Sequence, residues 1–455
     1  MMVASDIVQY HKPVPATAEV EVVVVGAGPG GLGAAIASAR NGARTLLVER
    51  YGFLGGMATA GLVGPFMTSW GIDGKERIIA GIYKELIDRM VSVGAAIDPA
   101  GIKGYSALGG YHRYGHEHVT PFDPEALKVV AQEMVLESGA DLKLHSLFLD
   151  SLSDGGGVTG IITAGKSGLE AIRADIVVDA TGDGDVAATA GAPYEKGRPG
   201  DGRMQPVSLF FRVGNVDDEA VQAHVDAHPD EDRFRTVVQR ATDAGEFSHT
   251  KDHVTLFRTT RPGEWWANMS RIHNIDATDV DELTRAEVEG HRQVVYLMEF
   301  FRKYMPGFGH SVLIDTGPQI GVRETRRVMG EYVLTAEDVF GARRFPDAVA
   351  RVSFPIDIHD VTGGGGFFQG PKEGPYYTIP YRCLVPLDID GLLLAGRCIS
   401  ATHEAHGSLR VMPPCFAIGQ AAGTAAALAI ETGVSPRRAD VGLLRATLED
   451  QGALI

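Results

Sequence analysis

The sequence predicts an α/β fold: a doubly wound parallel sheet that carries a small antiparallel meander and is interrupted by an inserted α+β domain. Three stretches predict it. Residues 20–50, VEVVVVGAGPGGLGAAIASARNGARTLLVER, set an apolar strand, a glycine turn, a helix and a second apolar strand in register. Residues 175–185, DIVVDATGDGD, repeat a buried strand followed by a glycine-rich turn. Residues 391–430 bring back an apolar strand, GLLLAG, and a helix made largely of Gly and Ala. The length agrees, because 455 residues exceed one simple core and imply two or three domains.

The β-branched run 22–25 suits a buried parallel strand and stops at glycine. Gly26, Gly28 and Gly31 then follow in G-x-G-x-x-G spacing. The first permits a tight turn, the second lets backbone approach a pyrophosphate, and the third lets the helix close on the strand. The strand 45–48 ends in Glu49, an acid placed to accept hydrogen bonds from ribose hydroxyls and to disfavour a 2′-phosphate. The next loop, RYGFLGGMATAG, brings small residues to Gly55, Gly56, Met57 and Ala58, which can lie flat along a ribityl chain and a flavin ring. An apolar helix spans 78–93 and closes at Gly94; residues 95–120, with Tyr105, Tyr111, His112, Arg113, Tyr114, His116 and His118, read as a substrate lid or a packed surface excursion. Asp123-Pro124-Glu125 opens a helix that ends before Gly139. Strands at 142–152, 158–164 and 169–173 form the meander. The strand 175–180 then delivers Thr181 and Gly182 beside a pyrophosphate, and Asp185 is expected to cap a helix from Val186.

Residues 196–380 change character: strand-like runs alternate with polar loops around one amphipathic helix at 281–305. Within them GVRETRRVMGEYVLTAEDV crowds Arg323, Glu324, Arg326 and Arg327 among apolar neighbours, a setting for structural ion pairs or an anion clamp. Thr335 and Asp338 have capping-box spacing, and His359 either faces a site or is a buried, hydrogen-bonded histidine. After the returning strand 392–395, Pro413-Pro414 starts a helix whose Gly419, Ala422, Gly423 and Ala426 admit another helix or a cofactor at close range. The N-terminus of that helix is expected to present free N–H groups and the positive end of its dipole, which match the flavin N1–C2=O region, negative on reduction, and so favour FAD over NAD.

Composition narrows the partners. A net charge of −16 repels polyanions, so no nucleic acid is expected. Cys383, Cys398 and Cys415 form no C-x-x-C pair, which excludes a dithiol redox centre, and no metal site is read. The start MMVASDIVQYHKPVPA has no apolar h-region and no lipid-like run of 18 residues is read elsewhere, so no membrane association and a cytoplasmic location are expected. A homo-oligomer is compatible with all of this.

The motifs GAGPGGLGAAIASARNG, LGGMAT, VVDATGDGDVAA, RETRRVMGEYVLTAEDV and AGRCISATHEAHGSLRVMPPCFAIGQAAGTAAA together resemble the bacterial FAD-dependent oxidoreductase family of the glutathione-reductase-type (Rossmann) flavoproteins, over residues 20–432. The chain then divides into a Rossmann-type FAD-binding domain begun at 18–195, a substrate domain at 196–380, the returning strand and flavin-facing helix at 381–435, and a C-terminal helix or tail at 436–455. The resemblance implies extended FAD, with Gly26, Gly28, Pro29, Gly30 and Gly31 at the pyrophosphate, Glu49 at the adenosine ribose, Phe148 near adenine, and Arg50 among the cofactor-binding residues. It also implies that Gly55 to Ala58, Met412 and Cys415 lie near the flavin. One departure is plain: Gly396-Arg397 stands where the superfamily has Gly-Asp, and an arginine there suits phosphate rather than ribitol. His406-Gly407-Ser408-Leu409-Arg410 further resembles the H-G-x-x-R stretch of fumarate-reductase-like flavoproteins.

His403, His406 and Arg410, read as lying in the loop between the returning strand and the last helix, are the expected catalytic residues: imidazole as base, guanidinium for an anion. No second G-x-G-x-x-G follows, so electrons are expected to come from a small-molecule substrate and to leave to oxygen or another carrier. Three readings stand: a dehydrogenase or oxidase acting on CH–OH, CH–NH or CH–CH of a small polar metabolite; an alkene reductase, favoured if Arg410 and Arg323 share the flavin pocket; and a non-catalytic FAD electron-transfer or tRNA-binding subunit, disfavoured by the absence of iron–sulfur cysteine clusters and by the acidic charge.

Overall fold

The computed structural model describes residues 10–101, 118–360 and 366–455. The aromatic and histidine residues 105–116 of the expected lid lie outside the described residues, as does part of the glycine run after Asp360.

The expected α/β architecture is present. Ala16–Val25 lies within a seven-stranded sheet, parallel to Thr45–Val48 on one side and to Gly168–Asp179 on the other. Asp141–Lys143 adds a further parallel strand beyond Thr45–Val48. Gly168–Asp179 belongs to two architectures at once. Its first half pairs antiparallel with Gly157–Gly165, which pairs with Leu147–Asp154 to complete the meander. Its last residues, from Val177, pair parallel with the returning strand Leu392–Leu394. The sequence suggests separate strands at 169–173 and 175–180, but no turn residue separates them, so one 12-residue strand leaves the meander and enters the parallel sheet. Conversely, the expected strand 142–152 is two, because His145 takes a left-handed φ of 54° and breaks it.

Glycines set the spacing of the layers around this sheet. A Cβ on Gly31 would lie 1.7 Å from the Gly26 carbonyl oxygen, so the helix Pro29–Arg40 sits on the turn only because residue 31 has no side chain. The Gly/Ala face of Met412–Thr432 meets this same helix: Cβ atoms on Gly419 and Gly423 would stand 2.0 Å from the Gly30 and Ala34 carbonyl oxygens. Met412–Thr432 is apolar and long enough to cross a membrane, yet here it is a core helix, buried along nearly its whole length.

A second hydrophobic core is drawn from residues 207–322, including Leu209, Phe211, Trp265, Leu297, Phe301 and Phe308. It lies between a four-stranded antiparallel sheet (Val312–Thr316, Phe211–Gly214, Trp265–Ala267, Leu256–Arg258) and the helix Val280–Tyr304, capped by Asp279. Residues 326–380, which the sequence groups with this region, instead give Val328, Leu334, Val352, Tyr377 and Ile379 to the larger core. The capping box of Thr335 and Asp338 and the Asp123 cap before Pro124 form as their spacing requires.

Candidate active site

Between the glycine turn and the second sheet lies a cavity of about 1080 Å³, at the upper end of the roughly 300–1,000 Å³ usual for ligand sites. Its first wall is mostly backbone. Gly26, with φ of 96°, turns the chain away from the sheet, and Gly28, Pro29 and Gly30 line the floor beside Gly56 and Met57. Glu49 is buried; its Oε2 accepts from the Ala27 N–H at 2.7 Å and its Oε1 from the Tyr51 N–H at 3.0 Å. Each oxygen keeps a second acceptor site, and Glu49 lines the cavity. Arg50, Phe148, Thr181, Gly182, Gly396, Arg397, Met412 and Cys415 complete this wall, and Arg50 and the Tyr51 hydroxyl both donate to Gln319 Oε1. Gly31, Gly55 and Ala58 are not in the lining. Gly31 serves the helix contact, while Gly55 donates to the Ala27 carbonyl and Ala58 closes the short turn Gly56–Ala58.

Local capping departs from the sequence expectation at two places. Asp185 does not cap the helix Asp185–Thr189; Gly184 holds the cap position, Thr181 Oγ1 accepts from the Asp185 N–H, and Asp179 accepts from the Ala187 N–H at 2.9 Å. Asp179 is fully buried, and burial pushes its carboxyl up to about 6 despite these donors. Asp185 instead pairs with Arg326 at 2.8 Å. At the start of Met412–Thr432, Pro413 and Pro414 remove two N–H groups, so among its first three residues Met412 alone carries one. The dipole remains, but the spray of N–H groups does not.

The expected catalytic residues separate. His403 and His406 sit in a short helix, His403–Leu409, capped by Thr402, and neither lines the cavity. His403 Nδ1 meets Glu324 Oε1 at 2.8 Å; the same oxygen accepts from Arg327 at 2.6 Å, making a buried structural network. His406 is fully buried with both ring nitrogens unpartnered among the described residues, and burial, reinforced by nearby Arg327, drives its pKa well below the ordinary value. Arg410 does reach the cavity, donating to Asp357 Oδ2 at 3.3 Å. The arginines of the 321–339 segment divide likewise: Arg326 and Arg327 are in ion pairs, whereas Arg323 lines the cavity and donates to Pro206 O, Ser208 Oγ and Asn268 Oδ1.

The second wall comes from the inserted region together with the strand Ile356–His359 beside the larger core, and little in the sequence announces it. Lys251, His253, Asn268 and Arg271 join Arg323, Asp357 and His359 there. His359, left open between core and site by the sequence, faces the cavity; its Nδ1 accepts from Arg271 at 2.9 Å and its Nε2 stands 3.4 Å from Asp357. Burial, together with Arg323 and Arg271, pushes His359 down to about 3, against the opposing pull of Asp357. His253, between Asp252 and Arg233, is likewise lowered to about 3 by burial and then by Lys251. The run Lys251-Asp252-His253 before an apolar strand is the one local signal for this wall. Away from the cavity, His224, His228 and Glu231 bring ligand-type atoms within 4.8 Å of one another, a grouping that the sequence does not lead one to expect.

Residues 21–448 match the model of the family described as FAD dependent oxidoreductase. The chain belongs to this family. It is an enzyme, and FAD is its cofactor. The first wall fits that cofactor: Gly26, Gly28, Pro29 and Gly30 bring bare backbone to the cavity, the turn holding its shape because Cβ atoms on Gly26 and Gly30 would strike the Ala180 carbonyl oxygen (2.6 Å) and the Gly396 nitrogen (2.9 Å), and an acid stands at the second strand's end. No curated protein matches the chain. Solved structures similar to this flavoenzyme include a geranylgeranyl bacteriochlorophyll reductase-like protein from Thermoplasma acidophilum (16% identity, 96% of this chain and 84% of that one, TM-score 0.44). They also include p-nitrophenol 4-monooxygenase from Pseudomonas putida (13%, 92% and 83%, 0.48) and L-proline dehydrogenase from P. horikoshii (14%, 97% and 100%, 0.42).

Proposed function

We propose that this flavoenzyme is a dehydrogenase or oxidase of the glutathione-reductase-type superfamily that removes hydride from a CH–OH, CH–NH or CH–CH group of a small polar metabolite. The observation that carries the proposal is a shared cavity whose one wall is glycine backbone, Glu49 and Met412 and whose other wall is Arg271, Arg323, Arg410 and His359. Bound FAD supplies the hydride acceptor. Gly26, Gly28, Pro29 and Gly30 hold the pyrophosphate by backbone, Glu49 takes ribose hydroxyls and Phe148 lies toward adenine. Arg397, standing in for the superfamily acid, donates to Asp183 Oδ1 at 2.6 Å, and Asp183 lines the cavity, so its carboxylate supplies the acceptor that residue 397 lacks. Arg410 and Arg323 orient the substrate. Proton transfer falls to His359 rather than to His403 or His406, because His359 is an imidazole on the same wall as the arginines; an anion that draws Arg271 onto itself frees the Nδ1 lone pair to take the proton and, beside Arg271 and Arg323, raises its proton affinity.

One observation favours the reverse reaction as a second reading: Arg323 and Arg410 do share the cavity, as a reductase of unsaturated acids requires. The exclusion of His406 from the lining counts against it, since the H-G-x-x-R resemblance needs both residues at the flavin. Anaerobic mixing of the FAD-loaded protein with a metabolite panel separates the two. Bleaching of the flavin band by one donor supports the dehydrogenase; reoxidation of dithionite-reduced protein by an unsaturated acid, with no donor active, selects the reductase.

A further inference from the structure

Buried cations in folded proteins are normally paired with carboxylates, because desolvating an unpaired charge costs several kcal/mol. Two cations of the second wall break that rule. Arg323 meets three acceptors, Pro206 O, Ser208 Oγ and Asn268 Oδ1, all neutral. Lys251, only 3% exposed, donates to the Asn268 carbonyl oxygen and to Thr255 Oγ1, also neutral. Among the described residues neither has an ion pair. Asn268 ties them together, its backbone oxygen on Lys251 and its side-chain oxygen on Arg323, so the two charges stand side by side at the cavity wall. Each keeps donors to spare: two of five N–H groups on the guanidinium and one of three on the ammonium. The environment resists both charges, since burial and neighbouring arginines lower Arg323 to about 9 and Lys251 well below its usual range. Nearby, Arg410 has a buried Nε without a partner. Asp357 attracts both from beyond ion-pair distance, so an anion entering the cavity meets two cationic side chains with donors free and no carboxylate in direct contact.

We infer that the substrate carries two anionic groups, of the small dicarboxylate class, one received by Arg323 and the other by Lys251 across the Asn268 bracket. Arg410 then steers the carbon skeleton toward the first wall. This inference rests on the oxidoreductase reading for the identity of the bound molecule as substrate, though not for the anion site itself.

The test titrates FAD-loaded protein with malonate, succinate and glutarate, and with acetate and propionate as single-charge controls, at constant ionic strength, following the flavin difference spectrum. A dicarboxylate should bind at least tenfold more tightly than the controls. Arg323→Gln and Lys251→Met should each weaken it at least tenfold with flavin content unchanged, and Arg323→Lys and Lys251→Arg should recover part of the loss, which guards against a misfolded variant. Equal affinity for one and two charges, or indifference to both substitutions, overturns the inference while leaving the oxidoreductase reading intact. Calorimetric titration with the same acids covers the opposite failure: dicarboxylate preference in protein that takes up no flavin would sustain the anion site and refute the oxidoreductase reading.

Discussion

The two walls of the cavity are built on opposite principles. The first is backbone: glycines whose missing side chains let the turn, the helix and the neighbouring loops close on one another, a strand edge, and one acid fixed by two N–H groups. The second is side chain: cations, histidines and one carboxylate gathered from residues 251, 253, 271, 323, 357 and 359 on elements scattered through more than a hundred positions. On the function proposed above, the first wall recognises the pyrophosphate and ribose and the second carries the identity of the substrate, so altering the second should leave the cofactor in place.

The sharpest break is expected at Gly31→Ala. Its Cβ would fall 1.7 Å from Gly26 O, so the helix must leave the turn; stability should drop by about 3 kcal/mol or more, and flavin should be lost on gel filtration. Wild-type melting and full flavin retention in that variant would mean the glycine contact is dispensable.

Next in size is Arg410→Gln. It removes a cavity cation and leaves Asp357 with one partner fewer; kcat/KM should fall on the order of 100-fold, about 2.7 kcal/mol, with the flavin-to-protein ratio unchanged. Loss of flavin instead would place Arg410 on the cofactor's side of the comparison.

That division also explains what the sequence could show. The G-x-G-x-x-G turn, Glu49 and the strand–turn at 175–185 are local patterns in which each residue's role follows from its neighbours. Their arrangement is legible from Val22 onward. Arg323 is visible only as one of the arginines crowded into GVRETRR. That Arg326 and Arg327 find Asp185 and Glu324, leaving Arg323 to the cavity, depends on long-range packing. Lys251 is marked only by the run Lys251-Asp252-His253 before an apolar strand, and nothing local distinguishes Arg271 from a solvated charge. His403 and His406 mislead because a Gly-containing stretch between strand and helix reads as loop; Thr402 caps it into a helix whose first turn points inward.

Acid should act on the second wall first. His253 and His359 are held at about 3 in the folded protein against an ordinary 6.5, so the unfolded chain binds more protons between those values. Stability present above pH 6.5 is therefore lost as pH falls toward 3. Melting temperature should decline as the medium is taken from neutral to mildly acidic, and the double variant His253→Gln with His359→Gln should decline less. Equal slopes would show that other groups govern the acid limb.

The smallest effect is expected at His406→Leu. The imidazole is buried without hydrogen-bond partners among the described residues and lies outside the cavity lining, so an apolar side chain of similar size should leave kcat/KM within about threefold and stability within about 1 kcal/mol. A hundredfold loss of turnover would return His406 to the chemistry.

The independence of the two walls is tested most directly by anaerobic titration of the FAD-loaded protein with its best donor, wild type beside Arg323→Gln, recording flavin content and bleaching in the same cuvette. Equal flavin content, with bleaching shifted to at least tenfold higher donor concentration in the variant, is the predicted result. A variant that loses its flavin, or that is bleached at the wild-type concentration, contradicts the account.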